Sequence, residues 1–376
     1  TFNKEKLKKS NYTGVSIDTK KLKKNNLFFA IKGKNTDGHK FAREAFKKGA
    51  SKIVINKKIK KIPKNKILKV KNTFFALNDL AKTTRSITSA RIIGITGSVG
   101  KTTLKNLVSF ALKNYGRVYH SPLSYNNKFG VPLSVSNLKK NTKYGVFEIG
   151  MDKKGEIDKL SKIVRPNIAV ITNISSAHFK NFKTLMDIAK AKAEIIDNVL
   201  DNGDIVLNKD DKFFKFLSNK AKKRGLNITS FSYKKGADIF LSGIKKIKKH
   251  YRLKIIVKKS VFYFDVKQST DNFINNVLAC ISVLYLLNLN LNKLNKKLTN
   301  FVVPSGRGDI KEVKKFNKKF KFIDESYNAN PLSMLSAIKN MNYYKRKNNS
   351  KKIALLGDML ELGKKTKKYH KELSTV

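Results

Sequence analysis

Hydrophobic positions along the chain follow two periods in turn: short apolar runs of strand length, and stretches where apolar residues recur every three or four positions. Near the start, Leu27-Phe-Phe-Ala-Ile31 and Lys52-Ile-Val-Ile55 read as strands. Between them, Lys40-Phe-Ala-Arg-Glu-Ala-Phe-Lys-Lys-Gly49 places Phe41, Ala45 and Phe46 on one helical face and closes on a glycine, a helix stop. Residues 73–90 read as a connecting helix, and Ile92-Ile-Gly-Ile95 as a buried strand entering a glycine-rich turn and an amphipathic helix. From there to about residue 303, strands at Tyr144-Gly-Val-Phe-Glu148 and Asn167-Ile-Ala-Val-Ile171 alternate with helices, which predicts a largely parallel sheet. Residues 237–267 alternate with period 2 (Leu253, Ile255, Val257; Val261, Tyr263), predicting antiparallel strands attached to that sheet. After Pro304-Ser-Gly306 a third α/β stretch offers a strand at Phe320-Lys-Phe-Ile323, a helix from about Pro331 and a strand at Ile353-Ala-Leu-Leu356.

The expectation is therefore an α/β protein of three units: a small N-terminal α/β unit at 1–85, a central unit with a mostly parallel sheet at 86–303, and a C-terminal unit at 304–376. A length of 376 residues, at roughly 150 per domain, agrees with two or three domains. The last unit holds only about 73 residues, so it is expected to be an incomplete domain. Cys280 is the single cysteine and sits in an apolar run, which predicts core packing and no disulfide framework. No stretch approaches the roughly 18 apolar residues of a membrane span and no signal peptide is legible, so the expected setting is the cytoplasm without membrane insertion.

Charge changes the picture less than its size suggests. Lys and Arg number 82 against 26 Asp and Glu, a formal net charge of +56. Nucleic acid is the usual inference from such a balance. Only nine of these cations are Arg, however, and the lysines are spread through every segment, so a solvated lysine coat is expected and a nucleic-acid partner is not. The same field attracts polyanionic small molecules such as nucleotides.

The most specific local signal is Gly94-Ile-Thr-Gly-Ser-Val-Gly-Lys-Thr-Thr103, between a strand and a helix. Glycines let the backbone wrap a phosphate, a helix N-terminus presents free N–H groups, a lysine reaches the terminal phosphates and a hydroxyl ligates Mg²⁺. Ile95 stands where the generic G-x-x-x-x-G-K-[ST] pattern has its first glycine, leaving T-G-x-x-G-K-T-T. Thr96, Gly97, Ser98, Val99, Gly100, Lys101, Thr102 and Thr103 are thus candidate ATP contacts, with Lys101 also catalytic and Thr102 a metal ligand. Glu148, ending a strand, is a candidate Mg²⁺ carboxylate, although an acid there could also cap a loop or pair with lysine. His178, beyond another strand end, is either a metal ligand or a loop histidine. His39, His120, His250 and His370 show no zinc spacing.

Taken together the motifs resemble the Mur ligase family, and within it the branch that adds D-alanyl-D-alanine. They are the phosphate loop, Asn126-Asn-Lys-Phe-Gly-Val-Pro-Leu133, Glu148-Ile-Gly-Met151, Pro166-Asn-Ile-Ala-Val-Ile-Thr-Asn-Ile174, Ala189-Lys-Ala-Lys-Ala-Glu-Ile195, Ile323-Asp-Glu-Ser-Tyr-Asn-Ala-Asn-Pro331 and Leu356-Gly-Asp-Met-Leu-Glu-Leu-Gly363, in family order. The resemblance implies a three-domain architecture with a central phosphate-loop sheet and a Rossmann-like C-terminal domain. It implies an ATP- and Mg²⁺-dependent amide ligase that joins D-alanyl-D-alanine to UDP-N-acetylmuramoyl-tripeptide through an acyl phosphate, in peptidoglycan precursor synthesis, as a monomer.

By the same resemblance Lys192, otherwise a plain helical lysine, carries a carbamate that ligates metal, and His178 assists at a second metal. Asn126 and Asn127 lie near the reacting centre, with Asn127 counted as catalytic. Asn272, Arg307, Asp324, Tyr327 and Asn328 face adenosine and its phosphates, while Ser16, Asp18 and Thr19 bind the uridine end. Two departures stand out: Lys20 replaces the arginine of the uridine pattern S-x-D-[ST]-R, and Asn272 falls where H-N-x-x-N-A-L has its histidine. The nearest alternatives are a sister ligase adding a diamino acid and a folylpolyglutamate synthase. A phosphate-loop ATPase acting on nucleic acid is the alternative from another class.

Overall fold

The computed structural model describes residues 12–175, 181–315, 318–343 and 351–375. The first sheet is four short parallel strands in the order β1 (Gly14–Ser16), β2 (Asn26–Phe29), β3 (Lys52–Ile55), β4 (Ile67–Lys69). Alternation along β2 and β3 serves two layers. Leu27, Phe29 and Val54 pack against Ala76, Leu77 and Leu80 of α2 (Thr73–Ile87), while Phe28, Ile53 and Ile55 pack against Ala42 and Ala45 of α1 (Ala42–Lys47). Phe41, expected on the buried face of that helix, is instead 39% exposed, because a 3-10 turn over Gly38–Phe41 precedes α1 and shifts the helical phase.

The central sheet has nine strands in the order β13-β12-β11-β10-β9-β8-β5-β7-β6. These are β5 (Arg91–Thr96), β6 (Val118–His120), β7 (Tyr144–Glu148), β8 (Ile168–Ile171), β9 (Asp204–Asn208), β10 (Asn227–Ser232), β11 (Ile239–Ile247), β12 (His250–Val257) and β13 (Ser260–Val266). Pairing is parallel from β6 through β11 and antiparallel from β11 to β13. One face is covered by α3 (Lys101–Leu112) and α8 (Asp271–Leu286), which bury Leu104, Leu107, Val108, Val277 and Ile281 against Ile93, Ile95, Val146 and Val170. The other is covered by α4 (Gly130–Ser136), α5 (Glu156–Val164), α6 (Leu185–Lys192) and α7 (Phe214–Lys223), packed on Ile92, Phe147, Ala169 and Leu207. The chain leaves β5 for the edge strand β6, returns to β7 beside β5, and then crosses to β8 on its other side. The crevice at the carboxyl ends of β5, β7 and β8 is thus a topological switch point, where open α/β sheets bind ligands.

Polar groups bind the N-terminal sheet to the central one. Asn137, just past α4, accepts from Val15 N at 2.9 Å and donates to Val15 O at 3.0 Å, serving the outer edge of β1 as a strand would. The buried Arg85 guanidinium of α2 donates to Val164 O at 2.7 Å and to Arg165 O at 2.6 Å, satisfying carbonyls at the C-terminus of α5.

The C-terminal stretch departs from its sequence pattern. The strand read at 320–323 lies within β15 (Lys318–Asp324), which forms an antiparallel hairpin with β14 (Asp309–Lys315) ahead of α9 (Pro331–Asn340). Ile353-Ala-Leu-Leu356, expected as a strand, forms none, and Leu355 is 91% exposed. Among the described residues β14 and β15 pair only with each other, and an apolar run without a neighbour to take its backbone bonds does not become a strand. Cys280 is buried in α8, and burial pushes its thiol pKa up. Among the described residues no helix is long and apolar enough to cross a membrane.

Candidate active site

The phosphate loop joins β5 to α3 at the switch point, and its shape follows from what crowds it. Gly97 has a φ of 145°, and a Cβ there would lie 1.8 Å from Thr172 Oγ1; Gly100 has a φ of 88°, with Asn276 Oδ1 at 2.8 Å from its missing Cβ. Only glycine fits either place. The end of β8 clamps the loop from below: Thr172 Oγ1 donates to Val99 O at 2.6 Å, Asn173 Oδ1 accepts from Val99 N at 3.0 Å, and Ser98 N donates to Asn173 O at 2.9 Å. Backbone N–H groups at the start of α3 are thereby presented to the cleft.

Two lysines meet on one carbonyl. Lys101 Nζ donates to Gly97 O at 2.7 Å and Ser98 O at 3.2 Å, and Lys192 Nζ, from the end of α6, donates to the same Gly97 O at 3.0 Å. Burial pulls the Lys101 pKa below the ordinary lysine range, with Glu148 opposing and Arg307 reinforcing the shift. The Lys192 pKa lies well below that range, from burial first and from the Lys101 charge second. Cations this close favour an anion of high charge, which a nucleotide's terminal phosphates provide.

Glu148 ends β7 with 1% of its surface exposed. Its Oε2 accepts from Thr102 Oγ1 at 2.8 Å, and its Oε1 accepts from Asn126 Nδ2 at 2.8 Å. A buried carboxylate beside a hydroxyl at a phosphate loop is an oxygen pair suited to a hard divalent cation that also takes phosphate oxygens. Among the described residues no group of three His, Cys, Asp or Glu side chains forms a metal cluster.

A cleft of about 2870 Å³ brings together Ser98, Val99, Gly100, Lys101, Thr102, Thr103, Asn126, Asn127, Glu148, Lys192, Asn272, Arg307, Asp324, Tyr327 and Asn328. Thr96 and Gly97 are buried and do not line it. Tyr327 is 54% exposed, so it lines the cleft and packs no core; the Arg307 guanidinium sits 4.0 Å from its ring centroid, a cation–π contact. Both reach Ser124 Oγ, which accepts from Tyr327 OH at 2.7 Å and Arg307 Nη2 at 3.3 Å. Asp324 Oδ1 accepts from Ser326 Oγ at 2.6 Å and Ser326 N at 3.0 Å, which holds its pKa below the ordinary carboxylate range. Asn127 Oδ1 accepts from Phe129 N and Gly130 N, capping the turn into α4.

The three residues of the uridine pattern stand apart from this cleft, Ser16 as the last residue of β1 and Asp18 and Thr19 just after it. Ser16 Oγ donates to Asp18 O at 2.8 Å and accepts from Asp18 N, Asp18 Oδ1 accepts from Lys20 N at 2.9 Å, and Thr19 is buried with its carbonyl accepting from Lys48 Nζ. Lys20, in the arginine position, is exposed, and Lys21 Nζ instead reaches across to Tyr125 OH at 2.5 Å. His178 lies outside the described residues. Sequence reasoning missed Thr172, Asn173, Asn276, Ser124 and Lys105. Asn173 was within reach, as the polar residue two places past a buried strand beside the loop; the others carry no local signal.

A doubly covered, mostly parallel sheet with a glycine-built phosphate loop at its switch point defines a phosphate-loop nucleotide-binding protein of the α/β class. The family models for the Mur ligase middle domain and for the Mur ligase family, catalytic domain match residues 95–284 and 11–88. The chain belongs to the Mur ligase family. It is 36% identical over 364 residues to the UDP-N-acetylmuramoyl-tripeptide--D-alanyl-D-alanine ligase of Buchnera aphidicola subsp. Baizongia pistaciae, a match covering 95% of this chain and 76% of that relative. Among solved structures it resembles MurF of Acinetobacter baumannii (TM-score 0.84, 28% identity, 96% of this chain and 76% of that one). It likewise resembles the MurF ligase of Thermotoga maritima in complex with ADP (TM-score 0.83, 28% identity, 96% and 81%).

Proposed function

We propose that this chain is an ATP-dependent ligase that joins D-alanyl-D-alanine to UDP-N-acetylmuramoyl-tripeptide, releasing ADP and phosphate. The observation that carries the reaction type is the convergence of Lys101, Lys192 and the Thr102–Glu148 pair on one end of the phosphate loop. The choice of branch rests on the 36% identity, along nearly the whole chain, to a relative named for that reaction.

A carboxylate does not acylate an amine because its leaving group would be oxide. Phosphorylation removes that obstacle: an oxygen of the tripeptide's terminal carboxylate bonds to the γ-phosphorus as the bond to ADP breaks, and the dipeptide amine then displaces phosphate from the acyl carbon, losing a proton. In this reading the amides of residues 98–102 bind the phosphates, and Lys101 leaves the Gly97 and Ser98 carbonyls to meet them. Mg²⁺, held by Thr102 Oγ1 and Glu148, would neutralise charge on the transferring phosphoryl group. Lys192, whose ammonium form is disfavoured by burial and by the Lys101 charge, is suited to take up CO₂ as a carbamate and so add a negative oxygen to that site. His178 belongs to the same proposed metal site.

Asn126 orients Glu148, and Asn127 sets the start of α4 beside the reacting carboxylate. Arg307, Tyr327, Asn272, Asp324 and Asn328 form the adenosine side, and Ser16, Asp18 and Thr19 the uridine side. Nucleotide substrates of this chemistry support a cytoplasmic setting for the reaction.

The test is phosphate release from ATP with the UDP-linked tripeptide, comparing D-alanyl-D-alanine, diaminopimelate and glutamate as amine. Release with the dipeptide alone is expected. Release only with another amine and its matching acceptor would overturn the branch.

A further inference from the structure

We propose that Lys105 is a positioning residue of the reaction, fixing the turn at residues 121–127 through which the N-terminal sheet, Glu148 and the C-terminal hairpin are connected. Lys105 lies one helical turn after Lys101 on α3 and has no exposed surface, an exceptional state for a lysine. Its Nζ donates to Ser121 O at 2.8 Å and to Leu123 O, and lies 3.9 Å from Glu148 Oε2. The ammonium therefore ties two carbonyls of the turn to the carboxylate.

That turn touches the Glu148 carboxylate, the C-terminal side and the N-terminal unit. Ser121 Oγ accepts from Glu148 N at 3.2 Å, and Asn126 Nδ2 donates to Glu148 Oε1. Ser124 receives Tyr327 and Arg307 from the C-terminal side, while its neighbour Tyr125 is reached by Lys21 from the uridine side. The turn is also strained where Lys105 grips it. Leu123 has a φ of 44°, left-handed backbone that a leucine adopts only when its surroundings impose it, and its side chain is 69% exposed, so apolar packing does not impose it. Two bonds hold it there: Tyr125 N donates to Pro122 O at 3.0 Å across Leu123, and Lys105 donates to the Leu123 carbonyl. The glycine turn of the phosphate loop is held separately, by Thr172 and Asn173, and the loop meets the Lys105 network only at Thr102, whose Oγ1 bonds Glu148 and lies 3.5 Å from Ser124 Oγ. Losing Lys105 should thus misplace Ser124, Tyr125 and Asn126 while leaving the glycine turn intact.

The test uses the full chain with Lys105→Met, Leu123→Gly and the double variant. Lys105→Met should lower kcat roughly 10- to 100-fold, as loss of a supporting residue does, with affinity for a fluorescent ADP analogue falling clearly less than kcat, since the glycine turn keeps its phosphate contacts while only the Ser124 link to Arg307 and Tyr327 loosens. Leu123→Gly, which adopts φ > 0 without strain, should restore kcat several-fold in the Lys105→Met background and do little alone. Hydrogen exchange should quicken at residues 121–127 and stay unchanged at 97–100. The activity arm rests on the ligase reading; the exchange and ADP arms do not, so a parent chain without turnover would count against that reading while these two arms still decide this one. Unchanged exchange at 121–127, a kcat loss that Leu123→Gly fails to relieve, or equal loss of ADP affinity would overturn the proposal. If Lys105→Met does not fold, Lys105→Gln takes its place under the same criteria, and failure of both to fold would make Lys105 a residue of general stability and refute a positioning role.

Discussion

Gly97→Ala probes the phosphate loop at its tightest point. The backbone there has a φ of 145°, a region essentially reserved for glycine, so an alanine held in it is strained by about 1–3 kcal/mol. The added Cβ would sit 1.8 Å from Thr172 Oγ1, and turning that hydroxyl away forfeits its 2.6 Å bond to Val99 O, about 0.5–1.5 kcal/mol. Rotation does not end the conflict, because Thr172 Cβ and N, both 3.0 Å from the new atom, are fixed by β8. The loop itself must move. The competent loop is then disfavoured by about 1.5–4.5 kcal/mol, and at 1.4 kcal/mol per tenfold nucleotide affinity should fall roughly 10- to 1000-fold. Gly155→Ala is the control: its φ is 81°, but nothing lies within 4 Å of the missing Cβ, so it should lose about 1 kcal/mol of stability and no nucleotide affinity. Titration of each variant with a fluorescent ADP analogue, beside its thermal midpoint, measures both. Affinity of Gly97→Ala within threefold of the parent would show that the loop is not held by the Thr172 contact.

Glu148→Gln keeps the shape but removes the charge opposite Thr102; turnover should fall at least about 100-fold, the scale of losing one key electrostatic group, and the Mg²⁺ needed for half-activity should rise, which a magnesium titration reads. Lys192→Met removes a buried titratable amine. The folded-state pKa of Lys192 lies below its unfolded value, so the unfolded chain binds more protons between the two, and stability rises with pH across that window. In CO₂-free buffer Lys192→Met should therefore melt higher than the parent at neutral pH, with the gap closing towards pH 10.5, the ordinary lysine value; a gap constant with pH would refute the lowered pKa of the buried amine. Arg85→Met loses the buried guanidinium bonds to Val164 and Arg165 carbonyls and should destabilise by about 2–4 kcal/mol in urea unfolding, with ADP affinity unchanged.

What the sequence determined by itself is the chemistry that local backbone and short spacing encode. Gly97, Gly100, Lys101 and Thr102 could be read as a phosphate loop because a strand, two glycines and a helix start suffice to build one, and Glu148 because a strand end places its last side chain at the sheet's carboxyl edge. Lys192 entered only by resemblance, since a lysine in Ala-Lys-Ala-Glu carries no mark of burial in a chain with so many solvated lysines. Lys105 was hidden the same way: one helical turn past Lys101, it is distinguished only by the Ser121 and Leu123 carbonyls brought to it from a distant turn. Tertiary structure alone decided that Thr172 and Asn173 clamp the loop, that Asn276 covers Gly100, and that Ser124 meets Arg307 and Tyr327 from far along the chain. It also decided that Ile353-Ala-Leu-Leu356 forms no strand, because an apolar run states a preference while a strand needs a neighbour for its hydrogen bonds. Periodicity speaks of each residue's own backbone, and burial, pairing and charge environment belong to whatever the fold sets beside it.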